Sequence, residues 1–107
     1  MNSLGIDIGT TGICGISVDC ETGKLLDCVN VENDSFIKTD KPYERIQNVG
    51  RIMNIVLGIT EKLFTADTKA IGISNQMHGI LYADENGAAV SPLYTWQDER
   101  GNLEYKD

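Results

Sequence analysis

The sequence predicts an α/β fold: a three-stranded antiparallel meander, a helix, a strand parallel to the first, and a further hairpin. Three observations carry this. Residues 4–19 hold two runs of apolar alternation joined by a Gly-Thr-Thr-Gly turn, the period of half-buried strands. A long amphipathic stretch follows Pro42. A short apolar run at 69–74 comes directly after it, and a strand reached through a helical crossover usually lies parallel to its neighbours.

Each element has a local reason. In the first strand Leu4, Ile6 and Ile8 alternate with Gly5, Asp7 and Gly9, so one face is apolar and the other nearly bare. Residues 13–19 form the second strand, with Cys14, Ile16 and Val18 on one face. Cys20-Glu21-Thr22-Gly23 is a turn in which Gly23 can take positive φ, and residues 24–31 make the third strand. Residues 32–41 are polar and read as a loop. Pro42 suits a helix start, with Thr39 or Asp40 as N-cap, and a helix is expected over 43–64. Its apolar stripe is Ile46, Val49, Met53, Val56 and Leu63, while Gly50 and Gly58 each cost roughly 1 kcal/mol relative to Ala. After the parallel strand, residues 80–83 and a strand through 93–96 flank Asp84-Glu85-Asn86-Gly87, where Asn-Gly is a strong hairpin signal.

The chain has 107 residues, one domain with a sizeable core. A net charge of −7 disfavours nucleic acid and anionic membrane surfaces as partners. Nucleotide binding stays open, because Mg²⁺ and backbone amides offset phosphate charge locally. The three cysteines, Cys14, Cys20 and Cys28, form no CxxC pair, and with the single His78 they make no convincing zinc set. Buried free thiols are expected, which fits a reducing, cytoplasmic setting. No apolar run approaches membrane length, and no signal peptide is evident.

Two clusters carry chemistry. The first is Asp7 with Gly9, Thr10, Thr11 and Gly12. Small residues let a bulky anion approach the backbone, and amide N–H groups can bind its oxygens. Asp7 could hold Mg²⁺ through water, since Mg²⁺ keeps several waters and takes few carboxylates. A strand follows the turn, not a helix, which argues against a dinucleotide fingerprint or a Walker-type loop. The alternative is an ordinary hairpin with a structural Asp. The second cluster is Ser74-Asn75-Gln76-Met77-His78-Gly79 together with Trp96-Gln97-Asp98-Glu99-Arg100, two strand ends joined by the hairpin. Gln76, His78 and Asp98 can hydrogen-bond sugar hydroxyls, and Trp96 and Met77 offer apolar surface to a carbon chain. Taken singly, His78 could be structural, Trp96 a core residue, and Asp98 with Arg100 a solvated pair.

Ile6-Asp7-Ile8-Gly9-Thr10-Thr11 resembles the first phosphate motif of the sugar kinase and actin superfamily. Gly72-Ile73-Ser74-Asn75-Gln76-Met77-His78-Gly79 resembles the Gly-Gln-Met-His-Gly segment of xylulokinase-like FGGY carbohydrate kinases. Thr95-Trp96-Gln97-Asp98-Glu99-Arg100 resembles that family's Trp-Gln/Asn-Asp-x-Arg segment, in the form closest to sedoheptulokinases. The likeness covers nearly the whole chain, with the motifs in the family's order.

The resemblance implies a ribonuclease H-like fold of the actin-like ATPase superfamily. Residues 1–107 would be the N-terminal part of the first domain of a kinase, with the rest of that domain and the second domain missing. It implies ATP and Mg²⁺ as cofactors, with Asp7 assisting the metal and Gly9, Thr10, Thr11 and Gly12 near the phosphates. It implies that Gln76, Met77 and His78 contact a ketose of the sedoheptulose or xylulose type, with Trp96 and Asp98 lining or supporting the pocket. The general base would lie downstream, so these residues alone would form an inactive part of a cytoplasmic transferase, with homo-oligomers open. One departure stands out: where the family usually has Lys or Arg, seven residues after the motif aspartate, this chain has Cys14. The alternative function is a non-catalytic sugar- or nucleotide-sensing module of the same superfamily.

Overall fold

A computed structural model describes residues 1–104. The elements are β1 (Asn2–Ile8), β2 (Gly12–Asp19), β3 (Leu25–Glu32), β4 (Ile46–Gln47), α1 (Val49–Leu63), β5 (Thr68–Asn75) and β6 (Leu93–Tyr94), followed by a single 3₁₀ turn at Arg100–Asn102. The chain divides into two units: residues 1–34 with 50–76, and residues 35–49 with 77–107.

The first unit is a four-stranded sheet in the order β3-β2-β1-β5, with α1 on one face. β1 pairs antiparallel with β2 and parallel with β5, and β2 pairs antiparallel with β3. The expected meander and parallel strand are therefore present. Core residues come from alternate positions: Leu4 and Ile6 of β1, Ile13 of β2, and Ile52, Ile55, Val56, Ile59 and Leu63 of α1. The helix approaches β2 closely because residue 15 is glycine. A Cβ there would lie 2.3 Å from Ile59 Cγ2 and 2.8 Å from Leu63 Cδ1. The opposite face, carrying Gly5, Asp7, Cys14, Ile16, Gly72 and Ser74, lines an open concavity of about 380 Å³.

The second unit is smaller. β4 and β6 pair antiparallel, with a bridge from Phe36 to Gln47 on one side and from Ile80 to Tyr94 on the other. The expected turn at residues 84–87 is formed. Asp84 Oδ1 accepts the N–H groups of Asn86 and Ala88, Gly87 takes φ 80°, and Ala83 bridges Ala89.

Three expectations are corrected. The helix starts at Val49, not at residue 43, and Pro42 does not open it. Residues 46 and 47 are drawn into a strand instead, and the Arg45 carbonyl accepts both the N–H and the hydroxyl of Thr95. Local helix propensity is worth only tenths of a kcal/mol per residue, and such tertiary pairing overrides it. The buried stripe consequently rotates, so that Ile52, Ile55 and Ile59 are in the core and Met53 is half exposed. The cysteines are free but not buried: Cys14 is half buried and Cys20 and Cys28 are exposed. Cys14 and Cys28 alternate onto the sheet face that α1 does not cover, as the register opposing Cys14 to Asp7 and Cys28 to Ile16 requires.

Candidate functional site

In the first unit, β1 ends at Ile8 and the chain reverses through Gly9, Thr10 and Thr11 into β2. The turn is tight: the Gly9 N–H donates to the Gly12 carbonyl at 3.0 Å, and a Cβ on Gly9 would lie 2.5 Å from that same oxygen. Only glycine fits this position without moving the backbone. Asn33 braces the turn. Its buried side chain donates from Nδ2 to the Gly9 carbonyl at 2.9 Å, and its backbone N–H donates to the Thr11 carbonyl at 3.0 Å. The carbonyls of Gly9, Thr11 and Gly12 are thus all engaged by protein donors. Thr10 donates its hydroxyl to Gln76 Oε1 at 3.1 Å, and the Gln76 N–H donates to the Ile8 carbonyl. Gln76 thus ties the end of β5 to this turn.

Asp7 is exposed one residue before the end of β1. The parallel register sets it beside Ser74 and the antiparallel register opposite Cys14. Ser74 donates its hydroxyl to Asp7 Oδ1 at 2.8 Å, which orients the carboxylate on the wall of the concavity. No group of three or more His, Cys, Asp or Glu side chains is placed to cage a metal among the described residues. A lone, oriented carboxylate beside an amide-rich turn fits Mg²⁺ carried on phosphate oxygens and waters. Cys14 cannot substitute for a cation here. Burial, the neighbouring Cys28 thiol and the Asp7 charge all push its thiol pKa up, so it stays neutral.

The second unit places His78 and Asp98 on one cavity of about 320 Å³, with Ile80, Tyr82, Tyr94, Thr95 and Arg100 as its other walls. His78 is the one non-glycine residue among those described with positive φ, at 58°. Strained backbone of this kind concentrates where a side chain must be aimed. Met77 and Trp96, expected beside them, are 71% and 56% exposed and are not among the cavity walls.

The Asp98 carboxylate is saturated by protein donors. Oδ1 accepts the Arg100 N–H and Nε, at 3.1 and 2.7 Å. Oδ2 accepts the Arg45 N–H and Arg100 Nη2, at 2.9 and 3.1 Å. Its side chain is only 4% exposed, so its role in the geometry is to hold Arg100 and the β4 backbone. The Arg100 hydrogen bond is the largest cause pulling its carboxyl to about 2, the two backbone N–H groups adding to it against burial. A carboxyl depressed in the fold contributes stability above its unfolded value, near 3.9, and loses it as pH falls toward 2. The contribution is about 1–2 kcal/mol once the solvent exposure of Arg100 is allowed for. Asp98→Asn should therefore be less stable than the parent at pH 6, with the gap closing by pH 2. Urea unfolding at the two pH values checks this, and a gap independent of pH would contradict it.

Some of these residues carried no sequence signal. Asn33 lies in the stretch that reads as loop, and Arg45, whose N–H holds Asp98, in the expected helix start. Ser74 reads only as part of the sugar-side cluster; aligning the C-terminal ends of the two parallel strands would have set it level with Asp7.

Known proteins resemble this chain over nearly its whole length. Residues 2–106 match the model of the FGGY family of carbohydrate kinases, N-terminal domain. A xylulose kinase of Staphylococcus epidermidis is 30% identical over 94% of this chain, which spans 21% of that relative's length. Among solved structures, a xyloylose kinase from Brucella ovis superposes with a TM-score of 0.80 at 26% identity, covering 94% of this chain and 22% of that one. A gluconate kinase from Lactobacillus acidophilus superposes with a TM-score of 0.77 at 27% identity, covering 91% of this chain and 20% of that one. With residues 2–106 of its 107 matched, the chain belongs to the FGGY family of carbohydrate kinases.

Proposed function

We propose that residues 1–107 are the N-terminal part of the first domain of an ATP-dependent ketose kinase, which transfers the ATP γ-phosphate to a sugar hydroxyl. The observation that carries this is Asp7, fixed by Ser74 beside a turn whose Gly9 admits no side chain. In this reading Gly9, Thr10, Thr11 and Gly12 meet the phosphates and Asp7 orients Mg²⁺ through water. Gln76 couples the end of β5 to the turn, and His78 faces the sugar from the cavity wall, while Met77 and Trp96, exposed and outside those walls, would meet it only from beyond the cavity. Asp98 supports that side by holding Arg100. Phosphoryl transfer is positioning and charge stabilisation, plus a base for the attacking hydroxyl. The base and the adenosine-binding lobe lie beyond these residues, so the chain alone should not turn over ATP. No helix of the described residues is long and apolar enough to cross a membrane, which is compatible with a cytoplasmic kinase.

The sugar side provides the test. A polyol offers hydroxyl hydrogen bonds and a weakly apolar carbon chain, and losing one partner of a buried hydroxyl costs about 1–3 kcal/mol. In the complete polypeptide, His78→Ala should lower kcat/KM for sedoheptulose or D-xylulose by roughly ten- to a hundredfold and leave the KM for ATP unchanged. A variant that changed ATP affinity and left every ketose unaffected would return His78 to a structural role. Absence of turnover in the parent with any sugar would instead favour a sensing module.

A further inference from the structure

The guanidinium of Arg100 is held from three sides. Nε and Nη2 form a two-point pair with Asp98, at 2.7 and 3.1 Å, and Nη2 also donates to Glu44 Oε2 at 2.9 Å. Its flat face lies over the Tyr94 ring, 4.3 Å from the centroid. Glu44 is itself fixed by the Thr39 hydroxyl at 2.6 Å. A surface arginine normally loses several rotatable bonds of freedom on meeting a ligand, and here that ordering is done in advance. The side chain is still 40% exposed and forms a wall of the cavity that also holds His78. Among the described residues no partner falls to Nη1, so two N–H donors remain on an immobilised group at the cavity.

We propose that Arg100 is a specificity-determining residue of this cavity, donating from Nη1 to an oxygen of a neutral polyhydroxy ligand and disfavouring a carboxylate. The inference rests on the cavity being the sugar side of a kinase, as proposed above. The charge balance sets the ligand class. Asp98 and Glu44 lie within hydrogen-bond reach of the guanidinium, and both carboxyls are held below their ordinary range, so they stay ionised. The guanidinium charge therefore faces two negative ones at the cavity, with Lys41 acting on Glu44 from outside its walls. A hydroxyl or ketone oxygen gains a hydrogen bond from Nη1 and is little affected by that balance. An aldonate carboxylate would gain the same bond against net negative charge, so it is discriminated against.

Two variants of the complete polypeptide test this, with D-xylulose or sedoheptulose as substrate, whichever the parent turns over, and D-gluconate as competitor. Arg100→Lys keeps the charge and loses the fork. It should raise the sugar KM about tenfold or more, with kcat and the KM for ATP changed less than twofold. Glu44→Gln leaves Arg100 and Asp98 in place and removes one opposing charge. It should lower the inhibition constant of D-gluconate by at least fivefold more than it changes the sugar KM. An unaltered sugar KM in Arg100→Lys, or gluconate inhibition indifferent to Glu44→Gln, overturns the role of Arg100 and leaves the kinase reading standing. A parent protein that phosphorylates no sugar overturns both.

Discussion

Gly15→Val is expected to destabilise the first unit by about 1–3 kcal/mol or more, the range for overpacking a closed core. The cause is specific. The added Cβ would begin 2.3 Å from Ile59 Cγ2 and 2.8 Å from Leu63 Cδ1. Those atoms end flexible side chains, but both residues are almost fully buried, so neither has room to retreat. Relief would require α1 to lift from β2, which would uncover Ile13 and Leu4 as well. A margin of 5–15 kcal/mol is ordinary for a whole domain, so a loss of this size is large. Gly58→Ala is the matched control. Nothing lies within 4 Å of a Cβ at that position, and the change should stabilise the helix by about 0.5–1 kcal/mol. Urea unfolding followed by circular dichroism separates the two. Equal midpoints for Gly15→Val and the parent would mean that the helix does not pack on β2 as described.

The elements that sequence made legible are those whose signals are local. Leu4, Ile6 and Ile8 alternate, Asn86-Gly87 demands a turn, and Gly9-Thr10-Thr11-Gly12 can hardly be anything but a reversal. The order of meander, helix and parallel strand followed from these pieces, and it is the order found. What was not legible depended on partners distant in the chain. Ile46 belongs by spacing to a helical stripe, yet it pairs with Tyr94, and nothing near residue 46 announces that pairing. Asn33 is one polar residue in a polar stretch until the fold brings it under Gly9 and Thr11. The candidate site divides in the same way. Asp7 and His78 stand out only through the clusters they sit in and the family resemblance, because a lone carboxylate at a strand end or a lone imidazole reads equally well as structural. The bracing of Asp98 by Arg45 and of Arg100 by Glu44 was not legible, because each joins residues about fifty positions apart.

Asp7 carries the largest functional prediction. In the complete polypeptide, Asp7→Ala should reduce turnover by roughly 10²–10³-fold, the scale for removing one preorganised electrostatic group from a charge-developing centre. Folding should be nearly unaffected, since Asp7 is exposed on the sheet face opposite α1 and among the described residues its side-chain partner is the Ser74 hydroxyl. Asp7→Asn separates charge from shape. It keeps an oxygen that can accept from Ser74 but removes the negative charge. If the carboxylate serves a hydrated Mg²⁺, Asn should be nearly as impaired as Ala, and raising Mg²⁺ should recover part of the loss. If Asp7 served only to pin β5 to β1, Asn would retain most of the activity. Ser74→Ala completes the argument: it leaves the charge and frees its orientation, so its loss should be nearer tenfold and appear in kcat more than in the KM for ATP. Steady-state kinetics at two Mg²⁺ concentrations, with melting midpoints for each variant, reads all three. An Asp7→Asn protein of parental activity would remove Asp7 from the chemistry.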